Sequence, residues 1–572
     1  MKPMGPSASE RAGTVPFPIR LLWGTTPQQR EKAMAIGANW VVVQSFGHRR
    51  NDFPFFFAPN CRIAALRRRE SVAEVRLERA LLQEGIAHAH RLGLKAMVHN
   101  YEVSLPDEFR RLYPELYQPA VREYRNCCRE VREHRSPCLS DPRVREILSQ
   151  KIAETLRAAG EDCPDTYAFT FNEGLSGTRV SHRCERCREI PFPQMIKWLA
   201  DAVRDGIRSV SPRILFFHRT WGLNENDDAG WKNIVRRLEF SEGRGEPWLA
   251  AHARIFAPPT MHYVASRELP AYVRMQEGEA MGFITKGTWG DISIDHPLNP
   301  YIPLLAAAYP TLVELSWENT VSYPRAFHVL ALQFQRMAWA ARDAGAAGLA
   351  GVPCAWGYKS HHQGHGAHEG AGREWIGRLD ESQWRLALIN FDCFQALCEN
   401  PDADLRSVIT RAIHRRFRRP LPPALTDFVI ESQALRARAI NVRGIQCTGE
   451  TLERMVYQIL RYGPTVPGWE RRLSRDPANL RRIIREKEAN MRRAAEIVEA
   501  IRGLRHRMPQ RAFDEFLGCF SDLRDETVTI GRRILFHFLL WALKDGTIKP
   551  DITTLRRIEQ QVSNAPPSLR DG

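Results

Sequence analysis

A chain of 572 residues with 43% hydrophobic and 26% charged residues has globular composition and is too long for one ordinary core. The net charge is +16, and all but 11 of the 82 basic residues are Arg, which reads as genome composition before it reads as a polyanion site. No recognised nucleic-acid motif accompanies these Arg residues, so nucleic acid is not the expected partner. Met1 to Thr14 carries no apolar run of signal-peptide length, and no later stretch reaches the roughly 20 apolar residues that span a bilayer. The expected location is the cytoplasm, with no membrane partner, and the 12 scattered cysteines are expected as reduced thiols.

Short apolar runs rich in β-branched and aromatic residues alternate with helical patterns, the signature of a parallel sheet wrapped by helices. Eight such runs occur: Ile19 to Gly24, Trp40 to Phe46, Leu94 to Glu102, Tyr167 to Glu173, Arg213 to Trp221, Met281 to Gly287, Thr311 to Glu318 and Gly348 to Pro353. Between them, Val144, Leu148, Ile152 and Leu156 mark one helix face, with Asp141 as N-cap, Pro142 at N1 and Gly160 past the end. Further helices are predicted over 193–210 and 324–344. After Gly370 no convincing strand appears, and Arg-rich amphipathic helices are predicted over 405–417, 452–462, 480–501 and 512–543, broken at Pro420 to Pro423 and at Gly463 to Gly468. The expected fold class is α/β: a tail over 1–17, a (β/α)8 TIM barrel over 18–400, and an α-helical C-terminal domain over 401–572, whose helices offer a surface for a homodimer.

In such a barrel the chemistry lies at the C-terminal ends of the strands. There the sequence places His99, Asn100, Tyr101 and Glu102; Asn172 and Glu173; His218, Arg219 and Trp221; Lys286, Trp289 and Asp291; Glu314, Trp317, Glu318 and Asn319; and Trp356, Tyr358 and Lys359. Glycoside hydrolysis needs two carboxyl groups, one to protonate the leaving oxygen and one to attack or to activate water. Glu173, Asp291 and Glu318 are the candidates. Trp221, Trp289, Trp317 and Trp356 suit stacking on sugar faces, Arg219 and Lys286 suit a sugar carboxylate, and Asn100, Asn172 and His218 complete the expected substrate-binding set. Each carboxylate alone could equally cap a helix or pair with Arg, and Glu314 is expected to point into the barrel or into a salt bridge.

These segments resemble the α-glucuronidases that remove glucuronic acid from xylan-derived oligosaccharides, over roughly residues 35–417. Phe169 to Gly174 (Phe-Thr-Phe-Asn-Glu-Gly) is similar to the family's strand-four motif with its general acid, Ile214 to Trp221 to its strand-five segment, Lys286 to Asp291 (Lys-Gly-Thr-Trp-Gly-Asp) to its strand-six motif, and Glu314 to Asn319 to its strand-seven motif. The resemblance implies an exo-acting, inverting enzyme on a uronic-acid-containing oligosaccharide, with Glu173 as acid, Asp291 and Glu318 sharing the base role, and no cofactor. With the barrel expected to begin near Ile19, no counterpart of the family's N-terminal β-domain is expected. The Asn172-Glu173 pair with Glu318 also resembles the retaining barrel glycosidases, in which Glu318 would be the nucleophile; the carboxyl separation, about 5 Å against about 6.5 Å or more, discriminates the two. A non-catalytic carbohydrate-binding barrel is the alternative from another class.

Two further clusters stand out. Cys184 and Cys187, with His182 beside them, have knuckle spacing, and Cys127, Cys128 or Cys138 could close a zinc site, but no second knuckle is present, so reduced thiols and no metal are expected. His361, His362, His365, His368 and Glu369 lie in a Gly-rich loop that suits a substrate lid or a transition metal. Gly174 and Gly177 make no phosphate loop, because no Gly-Lys-Ser/Thr follows.

Overall fold

The computed structural model describes residues 16–24, 27–46, 72–101, 103, 105, 107–119, 121–125, 130–170, 184–187, 189–220, 268–287, 299, 301–317, 328–353, 386, 388–442, 445–446 and 474–549. Among the described residues, ten strands of at least five residues run in chain order: β1 (Ile19–Trp23), β2 (Trp40–Phe46), β3 (Lys95–Tyr101), β4 (Val121–Arg125), β5 (Glu130–His134), β6 (Thr166–Thr170), β7 (Leu215–Arg219), β8 (Gly282–Lys286), β9 (Thr311–Trp317) and β10 (Gly348–Pro353). Eight of them close a parallel barrel in the order β1-β2-β3-β6-β7-β8-β9-β10, with β10 pairing back on β1. These are the eight runs predicted from the sequence. β4 and β5 stand apart as an antiparallel hairpin between β3 and β6. A second small pairing, Asn441–Val442 with Ile445–Gln446, interrupts the C-terminal helices where no strand was expected.

Period-two alternation divides each barrel strand between two layers. Leu21, Trp23, Trp40, Val42, Met97, Ala168, Phe217, Ile284, Leu312, Ala350 and Val352 fill the lumen. Trp40 and Phe217 meet edge to face at 6.2 Å, and the small Ala168 and Ala350 offset such bulk, as barrel interiors require. The opposite faces, Val41, Val98, Tyr167, Phe169, Phe216, Phe283 and Val313 among them, belong to the larger core under the helices. The closing seam allows no side chain at one point: a Cβ on Gly348 would lie 2.0 Å from the Ile19 carbonyl oxygen.

The helix Pro142–Ala158 begins as its sequence predicts. The Asp141 side chain accepts from the Arg143 amide at 3.0 Å, and Gly160 takes φ +80° just past the end. Its stripe of Val144, Leu148, Ile152 and Leu156 is fully buried, each such side chain contributing about 1.5–3 kcal/mol. It packs on the helix Phe192–Arg208, where Gly206 permits close approach: a Cβ there would lie 2.5 Å from the Ser149 carbonyl oxygen.

The helix Ile389–Glu399 closes the outer ring. Its Phe394 meets Phe334 of the helix Ala331–Asp343 at 6.2 Å, and Lys32 of the helix Pro27–Ala35 lies over its Phe391 ring. Beyond it come the helices Leu405–Phe417, Pro423–Ile440, Pro477–Gly503 and Gln510–Lys544. The first ends at Arg418 in the left-handed region (φ 56°), ahead of the predicted Pro-rich break. Val329 N–H donates to Ser432 Oγ and Leu386 N–H to Glu515 Oε1, tying these helices to the barrel. Arg436 and Glu526 form a buried ion pair, and Arg415, Arg416 and Arg493 pair with Asp392 and Glu431. Part of the Arg-rich surface is thus neutralised within the chain. The predicted helix over 452–462 lies outside the described residues. Among the described residues no helix is long and apolar enough to cross a membrane.

Candidate active site

At the C-terminal end of the lumen the apolar layers give way to polar side chains. Since Phe217, Ile284 and Leu312 point inward, two residues further on so do Arg219, Lys286 and Glu314. Arg219 grips Glu314 with both branches of its guanidinium, Nε to Oε2 and Nη2 to Oε1, each at 2.6 Å. Lys286 Nζ lies 3.9 Å from the same Oε1. The Arg219 guanidinium also sits 5.6 Å from the Trp23 ring centre, Trp23 meets the His99 ring edge at 5.9 Å, and His99 Nε2 lies 2.9 Å from Thr170 Oγ1. Six strands therefore contribute one residue each to a buried floor. Among the described residues the floor brings together one acidic side chain, Glu314, and two basic ones, Arg219 and Lys286.

Burying such groups is expensive unless they are paired, and a bidentate guanidinium–carboxylate pair is the geometry that best repays the cost. Glu314 thus satisfies both expectations at once, pointing into the lumen and into a salt bridge. Arg219 and Lys286, expected at the substrate, lie together at the bottom of the mouth around that carboxylate.

Asn100 and His218, also expected at the substrate, turn the other way. Each is one residue off the inward register of His99 and Arg219, so each faces the helices. Asn100 Nδ2 donates to Tyr167 Oη at 3.1 Å, and His218 stacks on Phe169 at 4.0 Å with Nδ1 2.9 Å from Tyr272 Oη. Complete burial lowers the His218 imidazole from about 6.5 to about 3, so it is held neutral.

The linkage has a definite sign. In the unfolded chain His218 binds a proton near pH 6.5, and in the folded chain only near pH 3, so its contribution to stability is fully present above pH 6.5 and is lost as pH falls from 6.5 toward 3. His328, also lowered by burial and then by Arg436, acts in the same direction. Urea midpoints are expected to fall as pH drops through this window, less steeply in His218→Gln; an unchanged slope in that variant would remove His218 from the account.

Asn172, Glu173, Trp221, Trp289, Asp291, Glu318 and Trp356 lie outside the described residues, as do the histidines at 361, 362, 365 and 368. Trp317 ends β9, its side chain outside the described set. The described strands end just before these positions: Glu173 follows Thr170 by three residues, Asp291 follows Lys286 by five, and Glu318 directly follows Trp317. Trp23 and Thr170 also have inward parity at a strand end, a position that their residue types alone do not mark as part of a site.

The barrel and its C-terminal helices define the chain as an α/β TIM-barrel protein. Its fold is similar to that of a GH138 enzyme targeting pectin rhamnogalacturonan II, with a TM-score of 0.51 and 10% identity over 96% of this chain and 75% of that one. A variant of the Thermobaculum terrenum O-GlcNAc hydrolase aligns with a TM-score of 0.38 and 10% identity, over 96% of this chain and 91% of that one. Neither is described as an α-glucuronidase. No protein-family model matches the chain, and no curated protein matches it.

Proposed function

We propose that the chain is a glycoside hydrolase that removes a uronic acid from the end of a short oligosaccharide. The observation that carries this reading is the buried Arg219–Glu314–Lys286 set at the mouth end of the lumen, where TIM-barrel enzymes keep their chemistry. Carboxylates, aromatics and cations that follow the ends of the same strands in sequence supply what such a site needs. The similarity in fold to an enzyme that targets a pectin adds support, at the level of fold.

In this proposal Glu173 protonates the glycosidic oxygen while Asp291 and Glu318 activate water on the opposite face of the sugar, inverting the anomeric centre. Arg219 holds Glu314 in place, and Lys286 beside that pair is the side chain offered to a sugar carboxylate. Trp221, Trp289, Trp317 and Trp356 form the stacking walls, and Asn172 binds the sugar beside the acid. Asn100 and His218 act from behind the strands, as packing that fixes their ends.

The test is a panel of paired oligosaccharides that differ only in whether the terminal sugar carries a C6 carboxylate. Release of the uronic acid, with a kcat/KM well above that for the neutral partner, is the expected result. Preference for the neutral member would overturn the specificity, and sugar binding without turnover would leave a carbohydrate-binding barrel.

A further inference from the structure

Three sulfur atoms meet where the segment before β6 touches the segment after it. Cys138 Sγ lies 3.3 Å from Cys187 Sγ and 3.6 Å from Cys184 Sγ, and all three lie within 4.8 Å of one another. All are free thiols, far beyond the ~2.05 Å of a disulfide. Three cysteines also cannot be satisfied by one disulfide.

Two chain segments build the cluster. Cys138 follows the β4–β5 hairpin, its amide bonded to the Leu116 carbonyl at 2.8 Å, and Cys184 to Cys187 forms a turn closed by Cys187 N–H to Cys184 O at 3.0 Å. Polar groups are aimed at the sulfurs. Gln118 Nε2 donates to Cys187 Sγ at 3.0 Å while its Oε1 accepts from the Cys184 amide, and Ser140 Oγ lies 3.0 Å from Cys138 Sγ and 3.2 Å from Cys187 Sγ. Arg186 supplies a nearby positive charge while anchoring to Asp141 at 2.9 Å.

This is unlike the environment of a cysteine used as a small hydrophobe. Cys393 and Cys398 are wholly buried, and that burial pushes both thiols well up. The sulfurs of Cys138, Cys184 and Cys187 instead meet one another and the polar groups of Gln118 and Ser140.

We propose that Cys138, Cys184 and Cys187 are three thiolate ligands of a structural zinc ion. Cys-x-x-Cys is the spacing of half a zinc knuckle, and Cys138 takes the place usually filled by the second half. Zn–S bonds of about 2.3 Å in a tetrahedron put sulfurs roughly 3.8 Å apart, so the observed separations need little expansion. A water molecule, or an oxygen such as Ser140 Oγ, completes the coordination. Gln118, donating to one ligand and accepting from the backbone of another, orients the set from outside it, as outer-shell partners of metal sites do. Three thiolates on Zn²⁺ carry a net charge of −1, which Arg186 offsets.

The site pins the stretch that follows β6 to the segment that leads into the helix Pro142–Ala158. It is independent of the glycosidase reading, because its readout is metal content and not turnover.

The full chain, purified under reducing conditions without a metal-affinity step, is expected to carry one zinc per chain by elemental analysis. Cys184→Ser is expected to carry almost none, and Cys163→Ser, at a thiol outside the cluster, is expected to keep it. Cobalt added to the chelator-treated wild type is expected to give the intense thiolate charge-transfer band and d–d bands of a tetrahedral site, and chelation is expected to lower Tm by several degrees. The proposal is overturned by wild-type protein that holds no zinc and shows no cobalt band with its thiols reduced, or by zinc retained in full in Cys184→Ser.

Discussion

Replacing Glu173 with Gln is expected to lower kcat on a glycoside with a poor leaving group by about 10²- to 10⁴-fold, the usual contribution of a positioned general acid. An aryl glycoside, whose leaving oxygen needs little protonation, is expected to lose much less. The pH–rate profile should lose its alkaline limb at the same time, because that limb reports the acid that must stay protonated. KM should change little, since the amide keeps the shape and polarity of the carboxyl group. Equal losses on both substrates would mean that Glu173 has a role other than proton donation.

The second large effect is on stability. Arg219→Met is expected to cost about 3–5 kcal/mol, because it leaves the Glu314 carboxylate buried without its two-branched partner. Arg219→Lys is not expected to rescue it, since one ammonium cannot reproduce two parallel hydrogen bonds. The triple replacement Arg219→Met, Glu314→Leu and Lys286→Met should recover much of the loss, because removing all three charges also removes the cost of burying them, whereas Arg219→Met with Glu314→Leu recovers less, since it takes the carboxylate away from buried Lys286. Urea unfolding of these variants measures this. A loss under about 1 kcal/mol in Arg219→Met would mean that water or another side chain replaces the pair with little cost.

The barrel was legible because its strands carry a local signal. Trp40–Phe46 and Gly348–Pro353 match their predicted limits residue for residue, and Asp141, Pro142 and Gly160 mark the ends of their helix by residue type alone. Elements stabilised from outside their own segment were harder to read. The β4–β5 hairpin has little apolar alternation, so a search for apolar periods passes over it. The helix predicted from Pro324 is described only from Ala331. Just before it, the Val329 and Leu330 amides are satisfied by Ser432 and Asn390, residues far along the chain.

The candidate site divides along the same line. That polar side chains gather at the strand ends could be read from the sequence, but listing them without their parity placed His218 and Asn100 on the same side as Arg219. Phe217 fills the lumen, so its neighbour His218 must face the helices. The Arg219–Glu314 pairing spans 95 residues and two strands that are not neighbours, and no local pattern announces it. Similarly, Cys184 and Cys187 advertise themselves by spacing, whereas Gln118 and Ser140 become part of that cluster only through the fold.

Hydrolysis of a uronic-acid glycoside by inversion, with Glu173 as acid, can be followed in a proton NMR time course of the first-formed sugar on a uronic-acid oligosaccharide, run with wild type and Glu173→Gln. The product is expected to appear first with the anomeric configuration opposite to that of the substrate, and its release to nearly stop in the variant. A first-formed product that retains the substrate configuration would contradict inversion and make Glu318 the nucleophile, and undiminished release by Glu173→Gln would contradict the assignment of the acid.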